Sequence, residues 1–144
     1  MRIPRVFSPQ TMAIGDGIEL EAGAARHLTS ALRMNSGQLV TLFNGHGGEY
    51  TAELVEAKKG KATVRITEFD KTDRESNLSI HLAIGISRGE RMDLIVQKAT
   101  ELGVSEITPL FTERCEVKRS RERLDKKISH WQQVTISACE QCQR

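Results

Sequence analysis

A strand, a helix and a second strand follow one another within about 30 residues near the middle of the chain. That order restricts the fold more than any other feature of the sequence. Leu78, Ile80, Leu82 and Ile84 alternate with small or polar residues, the period of a strand. Met92, Ile95, Val96, Ala99 and Leu102 then recur at three- and four-residue steps, which places them on one face of a helix. Asp93 falls in the first turn, where negative charge suits the positive end of the helix dipole. Gly103 follows the last apolar residue and can take the left-handed conformation that ends a helix. Ile107 to Leu110 reads as a short strand that Pro109 confines to its end or to a sheet edge. Strands joined by such a crossover pair in parallel. The loop Ile86-Ser87-Arg88-Gly89-Glu90-Arg91 leaves the carboxyl end of the first strand, where open α/β sheets hold their ligands.

The residues before this unit have a different character. Ile3 to Phe7 is extended and carries Pro4, so it belongs on an edge. Ile18 and Leu20 suggest a second strand. Ala22 to Arg33 reads as a helix with Ala25, Leu28, Ala31 and Leu32 inward, stopped by Asn35-Ser36-Gly37. Gln38 to Phe43 is β-prone, and Asn44-Gly45-His46-Gly47-Gly48 has the composition of a hairpin loop. Glu49 to Glu56 and Lys61 to Phe69 alternate around a Lys58-Lys59-Gly60 turn. Five short strands with one helix fit a small barrel better than an open sheet. Asp70 to Asn77, DKTDRESN, is polar and aperiodic. The expected division is therefore a barrel over residues 1–70, a linker over 71–77 and an α/β unit over 78–144.

The last element is a helix from Arg121 onward with Leu124, Ile128, Trp131, Thr135, Ala138 and Cys142 on its inner face. The sequence runs to Arg144 with no cap or glycine stop, and two strands with two helices leave an edge and a sheet face bare. A domain completed by further chain or by another copy is the expectation. No apolar run approaches the roughly 18 residues of a membrane span, and MRIPRVFSPQ lacks a signal peptide's apolar core, so the cytoplasm is expected. Three cysteines in such a chain are expected as free thiols. Cys139 and Cys142 have the spacing of half a zinc site, but no second pair of ligands matches them, and inside a helix they read as small buried side chains. The four histidines show no ligand or triad spacing. Trp131 reads as core, and the glycines at 45, 47 and 48 as turn residues rather than a phosphate loop.

Several long stretches carry a family resemblance. MRIPRVF, HLTSALRMNSGQ at 27–38 and LFNGHGGEY at 42–50 resemble the N-terminal domain of one family. SRGERMDLIVQKATELGVSEITPLFTERCEVK at 87–118 and KKISHWQQVTISACEQCQR at the end resemble the front of its catalytic domain. The family is RsmE, which methylates N3 of a uracil in 16S ribosomal RNA with S-adenosylmethionine. The resemblance implies a PUA-like RNA-binding β-barrel followed by the N-terminal part of an α/β-knot (SPOUT) domain with a parallel sheet. It also implies a homodimer and a partner in the small ribosomal subunit. In that family the knot and the methyl-donor pocket are C-terminal, and their GPEGG-type loop has no counterpart in this sequence. The resemblance thus implies no cofactor-binding residue here, a donor pocket mostly downstream of Arg144, and a chain not competent alone.

Candidate residues divide between bland and chemical readings. Lys98 and Glu101, three apart on the central helix, form a surface ion pair in the bland reading. In the other, Lys98 stabilises the anion that develops when uracil N3 loses its proton. Arg114 follows the second strand at the same sheet edge and is the other catalytic candidate. Arg88 and Arg91 are either a solvated loop or phosphate contacts, since the guanidinium fork matches phosphate geometry. From Arg114 to Lys127 there are seven basic and three acidic residues, including Lys118 and Arg119, which suits an RNA backbone track. In the barrel, Arg2, Arg5, Arg26, Arg33, Lys58, Lys59 and Lys61 form a second basic group. A net charge of only +2 leaves a rival reading open, a non-catalytic RNA-binding or assembly module.

Overall fold

The computed structural model describes residues 3–113 and 121–144. The chain divides into two compact units, Met1–Asp73 and Arg74–Arg144.

The first unit is one five-stranded sheet: β1 (Arg5–Phe7), β2 (Gly17–Glu19), β3 (Leu39–Phe43), β4 (Glu49–Lys58) and β5 (Lys61–Asp70), in the order β1-β3-β4-β5-β2. Pro4 precedes an edge strand, as expected, and β1 runs parallel to β3. The long β4–β5 ladder is antiparallel with register shifts at Thr51/Ala52 and Leu54/Glu56, which bend and coil it. The sheet's two ends are tied by side chains. Gln10 Nε2 donates to the Glu19 carbonyl at 2.8 Å and to Glu21 Oε1 at 2.9 Å. The result is a small, partly open barrel of the expected type. Inward positions alternate along the strands: Val40 and Leu42, Ala52 and Leu54, and Ala62, Val64 and Ile66 are all buried, with Phe43 buried as well at the end of β3.

The barrel's helix is shorter than its sequence suggests. α1 (Ala22–Arg26) passes into a π-turn at His27–Ala31, where Leu32 N donates to the His27 carbonyl at 2.9 Å. Arg33 then adopts φ 52, and Met34 N reaches the Leu28 carbonyl. The wider turn shifts the inward face by residues that a 3.6-residue period does not anticipate. Ala25 and Leu28 are buried as expected, but Ala31 and Leu32 are exposed and Met34 takes the inward place.

The second unit contains the crossover: β6 (His81–Gly85), α2 (Glu90–Glu101) and β7 (Glu106–Leu110), with β6 and β7 parallel and Ile84 opposite Pro109. Strand geometry starts only at His81. Leu78 and Ile80 precede it and are exposed, although the Ile80 carbonyl still accepts from the Ser105 and Glu106 amides. Gly103, at φ +90, ends α2 in a Schellman motif: Gly103 N donates to Thr100 O and Val104 N to Ala99 O, both at 3.0 Å. Leu102 is the cap residue and is 82% exposed, against the expected inward position. Thr100 replaces it, completing a row with Met92 and Val96; its hydroxyl donates to the Val96 carbonyl, which satisfies a buried polar group.

α3 (Arg121–Cys142) packs on α2 through Trp131, with Leu124 and Val134 beside it. Ile128 lies at 36% exposure, and Cys139 and Cys142 are half-buried rather than buried. The helix ends at Cys142, and Gln143 takes the left-handed conformation at φ 68, which nothing in the local composition signals. No residue of β6 or β7 is fully buried, so this unit's core among the described residues is Ile86, Met92, Val96 and Trp131.

Gly48 is the tightest glycine in the barrel. Its φ is +69, and a Cβ there would stand 2.6 Å from the Asp70 carbonyl oxygen and 2.7 Å from the Phe69 ring. Gly48→Ala is expected to destabilise the unit by about 3 kcal/mol, from left-handed strain and overpacking together. Gly45→Ala, in open space at φ +80, meets only the strain and should cost about 1 kcal/mol. Urea unfolding of the two variants measures the difference.

Candidate nucleic-acid interface

The barrel's basic residues do not form one patch. Arg5 lies in β1 with its side chain 9% exposed; its Nε donates to Glu49 Oε2 at 2.9 Å and its guanidinium stacks 3.7 Å above the Phe43 ring. That geometry commits Arg5 to the barrel wall. Arg33 is exposed at the end of the helix.

Arg26, Lys58, Lys59 and Lys61 are brought together instead. The helical segment docks on the β4–β5 hairpin, and Gly60 N donates to Thr29 Oγ1 at 3.2 Å. Gly60 faces the stem of Arg26, whose Nε donates to the Ala22 carbonyl. Lys58 pairs with Glu56; the bond to Lys58 and its charge hold the Glu56 carboxyl below its ordinary range and raise the Lys58 ammonium above its own. Lys58 is therefore largely neutralised locally. Arg26, Lys59 and Lys61 are exposed at the hairpin tip, a cationic surface without an aromatic platform.

In the second unit, Arg88 and Arg91 are exposed where β6 passes into α2. Gly89 makes that turn at φ 59, and no side chain caps the helix; Glu90 and Asp93 supply negative charge to its first turn. Lys98 belongs to the other end of α2, about 10 Å along the axis from Arg91. Its Nζ lies 2.7 Å from Glu101 Oε2. The structure thus keeps Lys98 apart from the loop arginines and in an ion pair. Arg2, Arg114, Lys118 and Arg119 lie outside the described residues.

Two residues that read from the sequence as a dipole charge and a core side chain join α2 to α3 at this end. Asp93 Oδ1 accepts from Trp131 Nε1 at 3.2 Å, and Asp93 Oδ2 is 2.9 Å from His130 Nε2. The ammonium of Lys127 lies 5.9 Å from the centroid of the Trp131 ring. A separation of 37 residues leaves no local signal for the Asp93–His130 pair. Among the described residues, no group of three His, Cys, Asp or Glu side chains could hold a metal ion. No helix among them is long and apolar enough to cross a membrane.

The ion pair on α2 has a pH signature. The hydrogen bond from Lys98 lowers the Glu101 carboxyl, with Gln97 assisting and desolvation opposing. A depressed folded value means that the pair contributes stability above Glu101's unfolded value and loses it as pH falls through the folded one. Lys98→Met is expected to return Glu101 toward the ordinary carboxylate range, read by carbon-detected NMR titration of the glutamates.

Comparison with known proteins gives this arrangement a family. Residues 74–144 match the model of an RNA methyltransferase domain, and residues 20–67 match that of an RNA methyltransferase PUA domain. The ribosomal RNA small subunit methyltransferase E of Buchnera aphidicola is 34% identical over 143 residues, covering 99% of this chain and 58% of that protein. The enzyme of the same name from Neisseria gonorrhoeae, solved bound to S-adenosylmethionine, superposes at a TM-score of 0.94 with 40% identity, over 99% of this chain and 59% of that one. A methyltransferase of Legionella pneumophila, also solved with that cofactor, reaches 0.97 with 46% identity, over 100% of this chain and 60% of that one. The chain thus spans a little over half the length of these relatives. On both of its units, and by sequence and structure alike, it belongs to the PUA-bearing RNA methyltransferases of the ribosomal RNA small subunit methyltransferase E family.

Proposed function

We propose that this chain serves the S-adenosylmethionine-dependent methylation of uracil N3 in 16S ribosomal RNA. In this reading residues 1–70 are the RNA-binding barrel, 71–77 the linker and 78–144 the front of the methyltransferase domain. The observation that carries the proposal is the match of both units to one family, whose solved members in Neisseria and Legionella hold the methyl donor. The working enzyme is a cytoplasmic homodimer acting on the small ribosomal subunit.

The second unit's cleft does not present S-adenosylmethionine with a fitting site. The cleft is lined by the charged side chains of Arg74, Glu75, Glu101 and Arg144 beside Leu102 and Cys142. The Arg144 guanidinium there is bound to Glu75 and to the Thr100 carbonyl. No step through the methyl donor is therefore assigned to these side chains.

What the chain's own residues do is hold RNA. Arg26, Lys59 and Lys61 on the barrel, and Arg88 and Arg91 at the ligand end of the sheet, are exposed cations suited to backbone phosphates, which fix register without reading sequence. Arg5 is instead committed to the barrel wall. Lys98 is the candidate for stabilising the N3 anion, provided that it leaves Glu101 when RNA binds; Arg114 is the second candidate.

Two measurements test the reading. Mass spectrometry of 16S ribosomal RNA incubated with the full-length protein and S-adenosylmethionine should find one N3-methyluridine; RNA binding without methylation would favour the assembly-module reading. Lys59→Glu with Lys61→Glu should weaken RNA binding and flatten its dependence on salt by about 0.7–0.9 in log–log slope for each phosphate no longer held. An unchanged slope would remove the hairpin tip from the interface.

A further inference from the structure

We infer that Asp93 is a positioning residue that sets Lys127 for contact with an RNA phosphate, acting through Trp131. The inference rests on the RNA-binding reading above.

Trp131 is 7% exposed, so its indole N–H needs an acceptor inside the protein. Asp93 Oδ1 supplies it at 3.2 Å from the first turn of α2. The second oxygen, Oδ2, lies 2.9 Å from His130 Nε2, so one carboxylate holds two adjacent residues of α3. A carboxylate gripped at both oxygens cannot swing, and the indole bonded to it cannot turn about its own axis.

The orientation of the ring then decides where Lys127 goes. Lys127 stands one helical turn before Trp131, and its ammonium lies 5.9 Å from the ring centroid, within the range of cation–π attraction. Lys127 is half-buried, as suits a lysine whose stem lies along apolar surface. The neighbouring Lys126 differs: its ammonium is 2.9 Å from Glu122 Oε1 and is balanced there. Lys127 is thus a cation whose side chain is ordered before any ligand arrives, by a partner that leaves the charge uncompensated. Preorganisation of this kind removes part of the entropy cost of binding. It links the first turn of α2, next to Arg88 and Arg91, to the basic start of α3.

The test is the salt dependence of binding between the full-length protein and an unmodified 16S ribosomal RNA transcript, by filter binding across a potassium chloride series. Lys127→Met should lower the log–log slope by about 0.7–0.9, one phosphate contact. Asp93→Ala and Trp131→Phe should each reproduce most of that decrease, and Asp93→Ala combined with Lys127→Met should add nothing to Lys127→Met alone. A purely packing role for Asp93 would lower the melting temperature and leave the slope at its wild-type value. Two results overturn the inference while the RNA reading stands: a normal slope in both Asp93→Ala and Trp131→Phe, or a normal slope in Lys127→Met. Absence of salt-dependent binding by the wild-type protein would overturn the RNA reading, and the inference with it.

Discussion

Two parallel strands cannot be joined by a tight turn, because the chain must first return to the end from which it started. In the second unit that return is made by α2, and the placement of the unit's charged groups depends on it. Gly89 turns the chain into the helix and Gly103 turns it out, both in left-handed conformations. Between them Met92, Val96 and Thr100 form the buried row. The two ends of α2 then have different chemical neighbours. The start lies at the carboxyl ends of the strands, with Arg88, Arg91 and the Asp93 carboxylate. The finish lies at their amino ends, with Lys98, Glu101 and the Arg144 guanidinium on the Thr100 carbonyl.

The barrel solves a different problem. A five-stranded, mostly antiparallel sheet has two edges, and here they are closed by side chains rather than by a continuous ladder. Curling the sheet requires bulges in β4, and covering it requires a helical segment that ends sharply. The π-turn accomplishes the second by advancing the face so that Met34 plugs the core. The same docking places Arg26 against the hairpin tip. The basic cluster is thus a by-product of how the helix meets β5, with Thr29 as the joint.

These causes explain which features are legible in the sequence. Period-two alternation locates β4 and β5, because their inner faces are fully buried and tolerate little else. Gly103 is legible because the Schellman motif demands a left-handed residue there. Leu102 misleads because the helical period says nothing about the cap position, where the chain has already left the cylinder. Leu78 and Ile80 mislead because alternation persists beyond the residues that pair. Arg5 counts among the surface cations in the sequence since burial of an arginine depends on partners such as Glu49, 44 residues away. The Asp93–Trp131 bond is of the same kind: a long-range pair of ordinary residues leaves no local trace.

The described cations separate by what already holds them. Arg5 and Lys58 are matched to Glu49 and Glu56, Lys98 to Glu101 and Lys126 to Glu122, so binding RNA through any of these must first break an internal pair. For the exposed pairs that cost is small, because solvent screens them. For Arg5 it is larger, since a largely buried Glu49 would be left behind. The net charge of +2 does not say where the cations stand, and their distribution decides the field that a polyanion meets. Affinity for a phosphate backbone then follows from the few cations held in position without a counter-charge. Lys127 on its indole is such a cation.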